Sequence, residues 1–255
     1  MIPYGRQFID QDDIDAVTKI AASDFLTQGP QIQEFENALR KVTGARYAVA
    51  VVNGTAALHM AYLAADLKRG DEVITTPNTF AATSNMLLAV GAKPVFCDID
   101  LNTHNIDENK IEQLITKKTK ALAVVHFAGR PCVMKKILAV ARKYNLKVIE
   151  DGAHALGAVY EGKKIGGLAS DFTTFSFHPV KSITTGEGGA VLTNNENYYA
   201  KLLLLRSHGI KKNANGFNVM NDFGYNYRLI DIQAALGISQ LKKLKSFINY
   251  RQRVA

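Results

Sequence analysis

Short apolar runs alternate with helix-length amphipathic segments along most of this chain. Seven runs are predicted as buried strands, at residues 47–52, 72–75, 94–97, 121–126, 147–150, 173–177 and 189–193. Helices are predicted at about residues 55–65, 80–90, 107–115, 133–144, 195–207 and 229–247. Such alternation is typical of βαβ units, so we predict an α/β fold with a mostly parallel sheet and helices on both faces. Ligands of such sheets bind beyond the carboxyl ends of the strands.

The composition indicates a folded protein whose charge is unevenly distributed. Of the 255 residues, 47% are hydrophobic and 21% are charged, which argues against disorder. The net charge is +8, and the last 55 residues hold 10 basic and 2 acidic side chains. A basic segment suggests a nucleic-acid or membrane partner, or a surface that packs against another segment or subunit. Because no aromatic residues interleave a basic motif, nucleic acid is the weakest of these alternatives.

The cysteine content and the hydropathy of the chain indicate its cellular location. Cys97 and Cys132 cannot build a disulfide framework, and no Cys/His spacing indicates a metal site. No apolar run approaches the length of a membrane span, and the N-terminus lacks an apolar signal core. We therefore expect a cytoplasmic protein without a bound metal.

Candidate ligand-binding residues follow three of the predicted strands. Gly54 and Thr55 open a helix, so this turn is either a phosphate site or a plain capped turn. Asp151 ends a strand and could hold a cationic ligand atom or cap the next turn, and His154 could be its polar neighbour or a structural histidine. Phe80 could cover a flat ring or pack in the core.

Lys181 is the most informative of these residues. It lies between a predicted strand and a glycine-rich turn, in the segment FSFHPVKSITTGEGG. Desolvation in such a setting lowers a lysine pKa and favours reaction with carbonyl groups, and Ser176 offers a second phosphate ligand. Together with the residues above, these are the parts that pyridoxal phosphate requires: a phosphate anchor, a ring cover, a carboxylate and a lysine.

At these motifs the chain resembles the DegT/DnrJ/EryC1/StrS family of sugar-nucleotide aminotransferases. The resemblance runs from Tyr4 to the last residue and is carried by LTQG, GDEVITTPNTF, EDGAHALGA, FSFHPVKSITTGEGG and YNYRLIDIQAALG. Within the family it is strongest to the pseudaminic-acid subgroup. The resemblance implies the large domain of the aspartate-aminotransferase-like fold type I, comprising residues 1–255, with residues 1–30 bordering the active site. It also implies that the smaller C-terminal domain is absent or truncated, since relatives continue further.

The resemblance also assigns roles to individual residues. It implies that Lys181 forms the aldimine with pyridoxal 5'-phosphate and that Asp151 pairs with the pyridinium nitrogen. The implied cofactor-binding residues are Gly54, Thr55, Ala56, Phe80, Asp151, His154, Ser176, Lys181 and Asn226. The implied substrate-binding residues are Tyr4, Asp24, Phe25, Leu26, Thr27, Gly54, Ser176 and Asn226. Asn226 would reach the cofactor phosphate of a neighbouring subunit, which implies a homodimer with shared active sites.

The implied reaction moves an amino group from L-glutamate to the C4 keto group of a UDP-linked 4-keto-6-deoxy-N-acetyl sugar. Ala56 and His154 replace a serine and a glutamine that are frequent in the family. Two alternatives stay open at this point: a sugar-nucleotide dehydratase that uses the same cofactor, and a truncated, non-catalytic paralogue that only binds it.

Overall fold

The computed structural model describes residues 5–254, which form seven helices and eleven strands. The helices are α1 (Gln11–Ala21), α2 (Pro30–Thr43), α3 (Gly54–Ala64), α4 (Ala82–Ala89), α5 (Met134–Tyr144), α6 (Glu196–Arg206) and α7 (Asp231–Val254). The strands are β1 (Tyr47–Val51), β2 (Glu72–Thr75), β3 (Lys93–Phe96), β4 (Thr119–Val125), β5 (Lys147–Asp151), β6 (Val159–Tyr160), β7 (Lys163–Lys164), β8 (Phe172–Ser176), β9 (Gly189–Thr193), β10 (Ile210–Lys212) and β11 (Asn218–Met220).

Seven of the strands form one central sheet in the order β1-β9-β8-β5-β4-β2-β3. The pairs from β8 to β3 are parallel, whereas β9 is antiparallel to both of its neighbours, β1 and β8. Every strand of this sheet except β9 therefore runs in the same direction. The prediction of a mostly parallel sheet is confirmed, and the carboxyl ends of β1, β2, β4, β5 and β8 share one edge.

Apolar side chains are buried on both faces of the sheet. In β1, Ala48 and Ala50 belong to one core cluster and Val49 and Val51 to the other, as the two-residue period of a strand requires. Helices α2, α5 and α7 cover the first face, and α3, α4 and α6 cover the second. Burial on both faces explains why the strands have continuous apolar sequences, which makes them recognisable.

The helix predicted at residues 107–115 is wrong. The structure has only a short 3-10 turn there, Glu112–Leu114. The Asp107 side chain accepts a hydrogen bond from the Asn109 N–H (3.0 Å), and the Asp107 carbonyl accepts one from the Lys110 N–H (3.0 Å). Such local bonds compete with an α-helical ladder, so the amphipathic pattern does not become a helix.

Two helices near the N-terminus are absent from the sequence prediction, although their ends carry recognisable signals. Asp10 and Asp13 form a reciprocal capping box at the start of α1. Pro30 begins α2, and Gly44 follows it with φ 82°, a left-handed conformation that favours glycine. Helix α7 is also longer than the predicted segment 229–247.

Part of the basic excess near the C-terminus is neutralised within the fold. Lys243 of α7 lies 2.6 Å from both Asp10 and Asp13, which ties α7 to α1. Arg206 forms a 2.6 Å ion pair with the buried Glu36. The positive charge of the last 55 residues is therefore partly a set of internal contacts. None of the described helices has the length and apolar composition needed to cross a bilayer.

Candidate active site

A cavity of about 650 Å³ opens at the carboxyl edge of the central sheet. Seven of the residues predicted from the sequence line it: Gly54, Thr55, Phe80, Asp151, His154, Ser176 and Lys181. They come from the ends of β1, β5 and β8 and from the segments that follow β2 and β8. The parallel sheet thus brings together residues that are separated by up to 127 positions in the chain.

The N-terminus of α3 forms one wall of the cavity. The Asn53 side chain caps this helix by accepting a hydrogen bond from the Ala56 N–H (2.8 Å), and the Ala57 N–H binds the Asn53 carbonyl (3.1 Å). The first N–H groups of a helix have no partner inside it, and those of Gly54 and Thr55 form no hydrogen bond among the described residues. Two free donors at the positive end of a helix dipole favour an anion such as a phosphate.

Two glycines let the backbone close around this helix end. A Cβ on Gly54 would lie 2.8 Å from the Cβ of Ser176, so a side chain there would fill the gap between α3 and β8. A Cβ on Gly189 would lie 2.5 Å from the carbonyl carbon and oxygen of Asn53. Only glycine tolerates approaches this close, and the result is a narrow cradle with the Ser176 hydroxyl beside the free N–H groups.

Asp151 is a buried carboxylate on the cavity wall, 6% exposed. Its Oδ1 accepts a hydrogen bond from the Ala153 N–H (3.1 Å), and its Oδ2 accepts one from the Thr83 hydroxyl (2.7 Å). No lysine, arginine or histidine within residues 5–254 forms a salt bridge with it. A buried charge is costly unless it is paired, so this carboxylate is suited to a cationic ligand atom.

Lys181 and His154 lie in contact at the same cavity, with 2.6 Å between Lys181 Nζ and His154 Nε2. Burial lowers the pKa of Lys181 below its ordinary 10.5, against the opposing effect of the Asp151 carboxylate. Burial, and then the charge of Lys181, lower the pKa of His154 below its ordinary 6.5. Both shifts favour the neutral forms, so the lysine is more available as an amine nucleophile and the imidazole as a hydrogen-bond acceptor.

Phe80 presents an apolar ring to the cavity. It is 77% exposed, which is unusual for a phenylalanine and rules out the core-packing alternative. Its place on the cavity wall fits a cover for a flat ligand ring.

The remaining predicted residues lie outside the cavity lining. Ala56 is buried beneath the cradle, with its N–H bound to Asn53. Asn226 is exposed and forms an isolated antiparallel bridge with Ser207. The segment formed by Asp24, Phe25, Leu26 and Thr27 is exposed and is held near the start of α7, where the Asp231 N–H donates to the Leu26 carbonyl (3.0 Å). Tyr4 lies outside the described residues.

Two further residues, which the sequence did not predict, contact Asp151 and Lys181. Thr83 binds Asp151, and Arg251 of α7 donates a 2.8 Å hydrogen bond to the Lys181 carbonyl. Thr83 lies in the first turn of α4 and carries a hydroxyl, which is a weak signal. Arg251 has no local signal, because 70 positions separate it from Lys181.

The arrangement fits pyridoxal phosphate. The glycine-bounded cradle with two free N–H groups matches a phosphate, and the unpaired buried carboxylate matches a protonated ring nitrogen. The exposed Phe80 ring matches the face of a flat heterocycle, and Lys181 supplies the amine. Each of these features is present in the described residues without any rearrangement.

Comparisons with known proteins agree with this geometry. The model of the DegT/DnrJ/EryC1/StrS aminotransferase family matches residues 7–255. The chain is 48% identical over 257 residues to the UDP-4-amino-4,6-dideoxy-N-acetyl-beta-L-altrosamine transaminase of Campylobacter jejuni, a match that covers 100% of this chain and 68% of that protein.

Two solved structures resemble the fold closely. The Helicobacter pylori protein PseC, an aminotransferase involved in the biosynthesis of pseudoaminic acid, superposes with a TM-score of 0.91 at 40% identity, covering 96% of this chain and 66% of that chain. The PMP-form of the putative sugar aminotransferase Spr1654 from Streptococcus pneumoniae gives a TM-score of 0.95 at 30% identity, covering 100% and 70% respectively. The chain thus spans about two thirds of the length of these relatives.

Proposed function

Because the chain belongs to the DegT/DnrJ/EryC1/StrS aminotransferase family, we propose that it moves an amino group from L-glutamate to the C4 keto group of a UDP-linked 4-keto-6-deoxy-N-acetyl sugar. Its cofactor is pyridoxal phosphate, which the cradle, Asp151 and Lys181 are suited to hold. The observation that carries the proposal is the cavity in which Lys181, with a lowered pKa, faces the same space as the unpaired Asp151 carboxylate. The names of the relatives supply the substrate class.

Each group of cavity residues has a different role in the proposed reaction. Among the lining residues, the N–H groups of Gly54 and Thr55 and the Ser176 hydroxyl would hold the phosphate, and Phe80 would cover the ring. Asp151 keeps a proton on the ring nitrogen by placing a negative charge beside it. The cofactor supplies an aldehyde that accepts an amino group and a ring that withdraws electrons from the carbon that loses a proton.

Lys181 and His154 handle the protons. In its neutral form Lys181 Nζ would take a proton from the carbon that carries the amino group and would return it to the carbon on the other side of that nitrogen. His154 Nε2, 2.6 Å from Nζ, accepts a hydrogen bond from it and keeps the amine directed into the cavity. The same lysine acts in both halves of the reaction, with glutamate and with the keto sugar.

A transfer assay with labelled nitrogen tests the function. We expect the protein loaded with pyridoxal phosphate to move ¹⁵N from L-glutamate into the sugar, with one 2-oxoglutarate formed per amino sugar, as measured by mass spectrometry. D-Glutamate serves as the control donor. Loss of water from the sugar without nitrogen transfer would indicate the dehydratase alternative instead. Cofactor binding without any conversion of glutamate would indicate the non-catalytic alternative.

The lowered pKa of Lys181 predicts how the rate of cofactor capture depends on pH. The amine attacks only in its neutral form, so the rate at which Lys181 captures pyridoxal phosphate should rise with pH, reach half its maximum at the pKa of Lys181 and level off above it. Because burial lowers this pKa, we expect the midpoint below 10.5, the ordinary lysine value. Stopped-flow absorbance over a pH series measures the rate, with Nα-acetyl-lysine as the unperturbed control. A midpoint at or above that of the control would contradict the assignment.

We further propose that the protein is a homodimer in which Asn226 reaches the cofactor phosphate of the partner subunit. Asn226 is exposed and does not line the cavity of its own chain, so its side chain is accessible to another subunit. Large apolar side chains are exposed in the preceding segment, including Phe217, Met220 and Phe223, at 69%, 67% and 63%. The segment of Asp24 to Thr27 would then border the substrate.

We also propose that the protein is located in the cytoplasm. Both cysteines, Cys97 and Cys132, are free and buried, which suits a reducing environment.

A further inference from the structure

Two threonine hydroxyls lie behind Asp151, outside the lining of the cavity. Thr83 Oγ1 is 2.7 Å from Asp151 Oδ2, and Thr79 Oγ1 is 2.8 Å from Thr83 Oγ1. Thr83 is fully buried, so water does not compete for its hydroxyl. The two threonines are four positions apart, on the turn that leads into α4 and at its start.

The direction of these hydrogen bonds follows from the chemistry of the groups. An ionised carboxylate can only accept, so Thr83 donates its single hydroxyl proton to Asp151. The Thr83 oxygen then accepts from the Thr79 hydroxyl. The chain of donors therefore runs from Thr79 through Thr83 to Asp151, and in a buried chain each hydrogen bond strengthens the next.

The backbone of Thr83 is itself fixed. Its carbonyl oxygen accepts a hydrogen bond from the hydroxyl of Tyr62 (3.0 Å), and its N–H donates to the Phe80 carbonyl (3.1 Å). Tyr62 is completely buried, and burial together with the nearby Asp151 raises its pKa well above the ordinary value, so its hydroxyl remains a donor. One turn of chain thus carries both Phe80 and the hydroxyl that binds Asp151.

We propose that Thr83, supported by Thr79, is a positioning residue that fixes the Asp151 carboxylate for the ring nitrogen of the cofactor. The inference rests on the proposed function and extends it to a residue that does not line the cavity. With Oδ2 held by Thr83 and Oδ1 held by the Ala153 N–H, the carboxylate plane cannot rotate. Its remaining lone pairs then keep one direction before the cofactor binds, which lowers the entropic cost of binding.

The test compares two ligands that differ only at the ring nitrogen. For Thr83→Val we expect affinity for pyridoxal phosphate to fall about tenfold, the usual effect of losing a hydrogen bond to a charged group. Affinity for the analogue with carbon in place of the ring nitrogen should change less than twofold. Thr83→Ser, which keeps the hydroxyl, should restore most of the affinity. Equilibrium titrations followed by absorbance measure all of these.

Thr75→Val is the matched control, since Thr75 is also buried and its hydroxyl has no hydrogen-bond partner in the described part of the chain. It should leave both affinities unchanged. Equal losses for the two ligands in Thr83→Val, or no loss, would overturn the proposal. If Thr83→Val does not fold, Thr79→Val removes only the outer hydroxyl. This variant should weaken binding of pyridoxal phosphate two- to threefold and leave binding of the analogue without the ring nitrogen unchanged. Equal weakening of both ligands, or no weakening, would overturn the proposal. Failure of the unmodified protein to bind pyridoxal phosphate would instead overturn the proposed function.

Discussion

Lys181→Ala is expected to abolish amino transfer, with a loss of at least about 10⁴-fold, the upper end of what one proton-transferring residue contributes. The variant loses both the amine that captures the cofactor and the group that moves the proton between the two carbons. The absorbance of the bound cofactor should move out of the visible range at the same time. Steady-state assay and an absorbance spectrum after reconstitution measure the two effects.

The cradle is untouched in this variant, so it should still bind pyridoxal phosphate non-covalently through the N–H groups of Gly54 and Thr55. Lys245→Ala is the control, because Lys245 is an exposed lysine of α7 that does not line the cavity. It should retain both activity and the visible band. An unmodified protein that stays colourless with pyridoxal phosphate, or a Lys181→Ala variant that keeps the visible band, would contradict the assignment of Lys181.

Much of the central sheet could be predicted because its strands are buried on both faces. The segments 72–75 and 189–193 match β2 and β9 at both ends, and the other five differ by only one or two residues at either end. The helix at residues 107–115 was wrong because periodicity does not reveal that Asp107 and its neighbours prefer local hydrogen bonds. The antiparallel direction of β9 also has no local signal, since it depends on which strands it pairs with.

The cavity residues could be predicted to the extent that each stands at the end of a strand. Asp151 and Lys181 lie in local patterns that mark a strand end and a desolvated turn. The contacts that set their chemistry are long-range: Thr83 is 68 positions from Asp151, and His154 is 27 positions from Lys181. Such pairs are fixed by strand order and helix packing. The sequence therefore identified the groups, and only the fold revealed their partners.

Asp151→Asn is expected to slow the reaction with glutamate strongly. The substitution keeps the size of the side chain but removes the only buried negative charge on the described cavity wall that is suited to a protonated ring nitrogen. Breaking a buried charge pair costs about 3–5 kcal/mol, which corresponds to a fall of about 10²- to 5 × 10³-fold in the rate of the glutamate half-reaction. Single-turnover absorbance measurements with excess glutamate give this rate.

A cofactor analogue separates loss of charge from loss of structure. Pyridoxal phosphate methylated on the ring nitrogen carries a permanent positive charge, so it does not depend on Asp151 to keep a proton there. We therefore expect this analogue to restore part of the lost rate in Asp151→Asn, and to give no gain in the unmodified protein. Asp66→Asn is the control, because Asp66 forms a surface ion pair with Lys201 and has φ 62°, a conformation that asparagine adopts readily.

One outcome would contradict the role of Asp151, and a second would show a structural effect of the substitution instead. An Asp151→Asn variant that reacts with glutamate at the rate of the unmodified protein would show that the carboxylate does not act on the ring nitrogen. A variant that is slow with both forms of the cofactor would instead show that the substitution disturbs the cavity itself. Such a disturbance would have a physical cause, because Thr83 and the Ala153 N–H donate to different oxygens of the carboxylate. The asparagine amide keeps only one acceptor oxygen, so one of these two donors would then face an NH₂ group.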